Sequence, residues 1–191
     1  LDGKRRTVLD RSATQIGAPS AWAAGLTGQG VTVAVLDTGI DAAHPDFAGR
    51  IAGARSFIDG VPDATDDVGH GTHVASILAG SGAAEGGRYR GVAPDATLLI
   101  GKVCEEAGCP ESSIIAGMEW AAESGAAVVN LSLVGRDGPE IDPLEEAINT
   151  LTARHGTLFV AGAGNAGDCG GPGFLQVGSP STAEAAVSVG A

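Results

Sequence analysis

Apolar residues in this chain fall into short runs, separated by stretches in which they recur every three or four positions. The first strong run, 31–36, is followed at once by the polar Asp37-Thr38-Gly39, and similar runs at 51–58, 96–103, 127–133, 157–161 and 186–189 predict further strands. Helical patterns fall at 20–24 after Pro19, in the latter part of 69–79 despite Gly71, at 112–124 and at 144–154. Ser112 or Ser113 suits the cap of the third of these, and Pro143 suits the first turn of the fourth. Residues 1–20 are otherwise weakly patterned, 59–69 form an acidic loop, and 80–90 form a glycine-rich connection.

Near-continuous apolar strands alternating with helices predict an α/β fold: a three-layer domain whose mostly parallel central sheet is covered on both faces. No linker or internal repeat interrupts it. In open sheets of this kind chemistry gathers at the C-terminal ends of strands, which makes Asp37 the first candidate functional residue.

Composition refines this picture. The 191 residues suffice for one compact domain, and with aromatics at only 4% the core must be filled by Val, Ile, Leu and Ala. The net charge of -12 is unevenly spread: residues 1–11 hold four basic and two acidic residues, leaving 7 basic and 21 acidic ones for the rest. So acidic a body argues against a nucleic-acid partner. It is compatible with an extracellular enzyme, with cation binding, or with a plain solvated surface. No run approaches the roughly 18 apolar residues of a membrane span, and the opening residues lack the apolar core of a signal peptide. Of three cysteines, Cys104 and Cys109 bracket four residues; they either close a small disulfide loop in an oxidising compartment or remain reduced and buried. Cys169 is left over in the first case.

Three segments carry chemistry: Leu36-Asp37-Thr38-Gly39-Ile40, Gly69-His70-Gly71-Thr72-His73-Val74-Ala75 and Ala163-Gly164-Asn165. His70 and His73 stand three apart, without the i, i+4 pair and intervening glutamate of zinc metallopeptidases, so no metal is assigned to them. The three segments together resemble the aspartate, histidine and oxyanion-hole signatures of the subtilisin-like serine proteases, in that family's order. The resemblance covers about Ser12 to Ala191 and includes Gly91-Val92-Ala93-Pro94 and Asn130-Leu131-Ser132-Leu133.

The resemblance implies a serine endopeptidase acting on polypeptide substrates. Asp37 would fix the tautomer of His70, His70 would act as general base, and Asn165 would donate to the oxyanion. Leu131, Ser132 and Leu133 would line one wall of the peptide cleft, and Ala161, Gly162, Ala163 and Gly164 the opposite side of the first specificity pocket. Val134 departs from the family's more usual glycine, which comes one place later at Gly135. Asp46 matches a position that in some members helps hold a structural Ca²⁺, although the accompanying loop is not recognisable in 80–91; Asp59, Asp63, Asp66 and Asp67 offer a different set of oxygens. The family is made as a zymogen with an inhibitory pro-domain, and residues 1–11 are a candidate junction or a surface extension, ahead of a partial peptidase domain at 12–191. Secretion is inferred from the family alone.

The family's nucleophile lies in a Gly-Thr-Ser-Met-Ala-like turn, which does not occur here; Ser179 and Ser181 match a non-catalytic part of the pattern. The catalytic serine is therefore expected beyond this chain, in the remaining C-terminal part of the domain, and the isolated chain is expected to be inactive. The alternative is a catalytically dead, peptide-binding module.

Overall fold

The computed structural model describes residues 9–135, 142–164 and 177–190. Six strands, β1 (Thr32–Asp37), β2 (Ile51–Ser56), β3 (Thr97–Lys102), β4 (Val128–Leu131), β5 (Leu158–Gly162) and β6 (Ala186–Val189), form one sheet in the order β2-β3-β1-β4-β5-β6. Every described pairing between these strands is parallel. Among the described residues five α-helices accompany them: α1 (Leu9–Gln15), α2 (Ala18–Ala23), α3 (His70–Ala79), α4 (Glu111–Glu123) and α5 (Pro143–His155).

Alternation along β1 explains the layering. Ala34 and Leu36 face a core shared with Met118 and Ala121 of α4 and Ile148 and Leu151 of α5. Val33 and Val35 face the opposite core, with Ala75 and Ala79 of α3. The strand is thus buried on both sides and reads in sequence as an unbroken apolar run.

This layering has a topological consequence. The connections β2-α3-β3, β3-α4-β4 and β4-α5-β5 all advance the same way across the sheet, yet α3 covers one face while α4 and α5 cover the other. The α3 connection therefore has the opposite hand to the two that follow, a departure from the nearly uniform handedness of parallel crossovers. It places the start of α3 beside the exit of β1.

Some boundaries differ from the sequence pattern. The helix α1 was not apparent because Leu9 and Ala13 are too few to establish a period. The helix α4 begins ahead of Ser112 and Ser113: extended Pro110 is its cap residue, and the Pro110 carbonyl accepts from the N–H groups of Ser113 and Ile114 at 3.0 Å. Asp142 caps α5 with its side chain, Oδ1 accepting from the Leu144 N–H at 2.8 Å.

Met118 is fully buried where α4 meets the sheet. Met118→Ala is expected to lower unfolding stability by about 2–5 kcal/mol in denaturant titration; the exposed Val189→Ala should change it by less than about 1 kcal/mol.

Candidate active site

Asp37 closes β1, next to Lys102 of β3 in the register. Its backbone carbonyl accepts from Val103 N–H at 2.8 Å and Cys104 N–H at 3.1 Å, so the end of β3 pins the residue's main chain. Cys104 is itself joined to Cys109 by a disulfide. The side chain of Asp37 is only 4% exposed, and its Oδ1 accepts from the Thr38 N–H at 2.7 Å.

The same oxygen lies 2.7 Å from Nδ1 of His70, the first residue of α3. His70 is 52% exposed. A buried carboxylate thus holds one ring nitrogen while the imidazole remains open to solvent. A carboxylate can only accept, so this contact calls for a proton on Nδ1 and leaves the Nε2 lone pair for an incoming group.

Glycines permit this approach. Gly69, the helix cap, has φ of 95°, a conformation that side chains rarely adopt. Gly71 meets the chain leaving β1: a Cβ there would collide with the Gly39 carbonyl oxygen and come within 2.9 Å of the Gly39 nitrogen and 3.2 Å of Asp37 Cβ. The close approach at Gly71 is therefore between helix and strand.

Sequence reading placed Asp66 only among loop acids with a shared capacity for calcium. The structure gives it other partners. Its Oδ1 accepts from the Thr38 hydroxyl at 2.8 Å and the Gly69 N–H at 2.8 Å, and its Oδ2 from the Thr72 N–H at 2.8 Å and the Thr72 hydroxyl at 2.6 Å. Thr38 Oγ1 in turn accepts from the Gly71 N–H at 2.8 Å, and Thr72 Oγ1 from the Asp41 N–H at 2.9 Å. Burial pushes the Asp66 carboxyl up, but the hydrogen bonds from Thr72, Gly69 and Thr38 outweigh it and hold the group well below the usual carboxylate range. Lys102, 1% exposed, donates to the Thr38 carbonyl at 2.7 Å and pairs with Asp67 at 2.5 Å. That hydrogen bond chiefly lowers the carboxyl of Asp67 as well. The signal for both residues was a polar position beside a motif, too common to single out.

Other candidates are distributed as follows. Leu131 and Ala161 are partners in the β4-β5 register and are buried in the core. Ser132 and Gly164 are exposed, and Leu133, Gly162 and Ala163 are half-buried along the same edge. Gly178 N–H donates to the Ala163 carbonyl at 3.1 Å, and Gly135 N–H to the Ser179 carbonyl at 2.8 Å, which draws these segments together. Asn165 and Cys169 lie outside the described residues, as do residues 1–8 of the candidate junction. Ser179 and Ser181 are 2% and 3% exposed, so neither offers its hydroxyl to a substrate.

Of the carboxylates considered for calcium, Asp46, Asp66 and Asp67 already have hydrogen-bond donors beside them. Asp46 is buried, and its Oδ1 accepts from the Ala84 N–H at 2.9 Å, a donor where a cation needs further oxygens. Asp66 and Asp67 are engaged as described. Among the described residues no group of three or more His, Cys, Asp or Glu side chains is arranged to hold a metal ion.

The subtilase family model of peptidase S8 matches residues 28–191. The chain belongs to the subtilase family. It is 47% identical over 155 residues to subtilisin Savinase of Lederbergia lenta, covering 81% of this chain and 55% of that protein. It is 42% identical over 160 residues to the major intracellular serine protease of Bacillus subtilis (strain 168), covering 80% of this chain and 48% of that protein. To the minor extracellular protease Vpr of the same organism it is 38% identical over 201 residues, covering 96% of this chain and 23% of that protein. The chain thus spans about half the length of the first two subtilases, or less in the case of Vpr, and its fold is the α/β fold of a subtilisin-like domain. Among the described residues no helix is long and apolar enough to cross a membrane.

Two outcomes follow for this subtilase site. Gly71→Ala should displace the start of α3 from β1 and lower unfolding stability by about 1–3 kcal/mol in denaturant titration, because the added Cβ is forced against the Gly39 backbone. The depressed carboxyl of Asp66 contributes stability that is complete above the unfolded value of about 3.9 and is lost as pH falls toward its lower folded value. Acid unfolding of Asp66→Asn, followed by circular dichroism, should therefore show a shallower loss of stability below about pH 4 than the parent.

Proposed function

We propose that this chain carries the acid and base of a serine endopeptidase that hydrolyses peptide bonds. The observation that carries this reading is the 2.7 Å contact between buried Asp37 and half-exposed His70. Asp37 holds the imidazole with its proton on Nδ1 and stabilises the imidazolium formed when Nε2 takes the proton of a serine hydroxyl. His70 then returns that proton to the leaving amine as the acyl-enzyme forms, and repeats the cycle with water. Asn165, after left-handed Gly164 (φ 113°), is the proposed oxyanion donor.

Substrate lies between two walls. One is Ser132 and Leu133 with the end of β4 at Leu131; the other is Ala161 to Gly164 leaving β5. Leu131 and Ala161 act from beneath by setting the spacing of the walls, whereas exposed Ser132 and Gly164 offer main chain to an extended peptide. The nucleophile is a serine outside these 191 residues. The burial of Ser179 and Ser181, and the greater length of the relatives, support that assignment. On this reading the 191-residue chain alone is inactive, and it works joined to the rest of its domain.

Secretion as a zymogen is also proposed. The Cys104–Cys109 disulfide supports an oxidising compartment, and residues 1–11, together with whatever precedes them, are the proposed link to an inhibitory pro-domain ahead of the peptidase domain at 12–191.

Fluorophosphonate labelling of the processed full-length protein tests the central role. The parent should label at a serine, and His70→Ala should reduce the labelling rate at least about 1000-fold. Equal labelling of both would remove His70 from its role. A folded, processed parent that never labels would instead indicate a peptide-binding module.

A further inference from the structure

Asp66 touches neither Asp37 nor His70, yet its carboxylate accepts hydrogen bonds from residues on both elements that carry them. From the β1 side it takes the Thr38 hydroxyl; from the start of α3 it takes the N–H groups of Gly69 and Thr72 and the Thr72 hydroxyl. Through Thr38 it also reaches the Gly71 N–H, and through Thr72 the Asp41 N–H. Four of these links bear on the first turn of α3, residues flanking His70.

Charge makes this placement more than a tie. His70 is the first residue of a 10-residue helix, so its imidazolium forms against the partial positive charge of the helix N-terminus. A fixed anion on that same turn offsets the unfavourable field. The other charged groups nearby are already committed: Asp37 of β1 is on Nδ1, and Lys102 of β3 is matched by Asp67. Asp63 in the loop bonds the Thr65 N–H, Asp41 the Ala43 N–H, and His73 lies one turn along α3.

Resting on the peptidase reading above, we infer that Asp66 is a positioning residue of the reaction: it locks the start of α3 to the exit of β1 and supplies the counter-charge that lets His70 accept a proton at a helix N-terminus. It is ionised throughout the working range because its hydrogen bonds hold its carboxyl low.

The test compares the full-length enzyme with Asp66→Asn, Asp66→Glu and Asp46→Asn, reading kcat, KM, the acidic limb of kcat/KM against pH, the His70 imidazole titration by NMR, and Tm. Asp66→Asn keeps the shape but removes the charge and sets an amide N–H against the Thr72 donors. It should lower kcat about 10- to 100-fold with little change in KM. Both the acidic limb and the His70 titration midpoint should move down by about half a pH unit at low salt. Asp66→Glu should lose kcat but leave the midpoint in place, because the charge remains. Asp46→Asn, which alters a buried carboxylate bonded to Ala84, should lower Tm without moving the midpoint.

A lowered Tm for Asp66→Asn with kcat and midpoint unchanged would overturn the inference. If that variant does not fold, Thr38→Val deletes the hydroxyl's links to Asp66 and to Gly71 and keeps the charge, and an unchanged kcat would again overturn it. The NMR midpoint needs no turnover. A parent that fails to hydrolyse peptide would defeat the peptidase reading, while the midpoint shift would still report on Asp66.

Discussion

Contact between Asp37 and His70 depends on how closely a helix can start against the end of a strand. The strand delivers its carboxylate at a C-terminal edge, buried and pinned through its main chain by Val103 and Cys104. The helix delivers an imidazole at its first position, open to solvent. Only a residue without a side chain at Gly71 lets the two meet at hydrogen-bond distance, and only a crossover of opposite hand puts α3 on the face where this is possible.

Such an arrangement concentrates polar groups where the helix start meets the strand end, and the surrounding residues satisfy them in turn. Asp66 absorbs the free N–H groups of the helix start, Thr38 links that carboxylate to Gly71, and buried Lys102 takes the Thr38 carbonyl with Asp67 as its counter-ion. Removing one member leaves another unpaired, at the largest cost where that partner is buried, as Thr38 and Lys102 are. The site is therefore a network whose members differ in distance from the chemistry while sharing its geometry.

The inner strands β1 and β3 were legible because burial on both faces leaves unbroken apolar runs, and all six strands overlap the expected segments, β1 and β5 running one residue further to Asp37 and Gly162. Asp37 and His70 were legible through motif and order. What could not be read is of another kind. The short helix α1 has too few apolar positions to show a period. The start of α4 is set by the backbone of Pro110, although the serines after it look like better caps. Asp66 lay in a loop with three other acids, and only the folded chain shows that its neighbours are donors while Asp67 faces a lysine. The surroundings of Asp46 were hidden for the same reason: a carboxylate in sequence does not reveal whether oxygens or N–H groups will surround it.

Protonation of the His70 ring in the full-length, unliganded protein is the most direct test of this account. In ¹⁵N NMR spectra at neutral pH, His70 should be the Nδ1–H tautomer, with a strongly downfield Nδ1 proton that is lost on Asp37→Ala. An Nε2–H tautomer with an unprotonated Nδ1 would contradict the coupling on which the site is built.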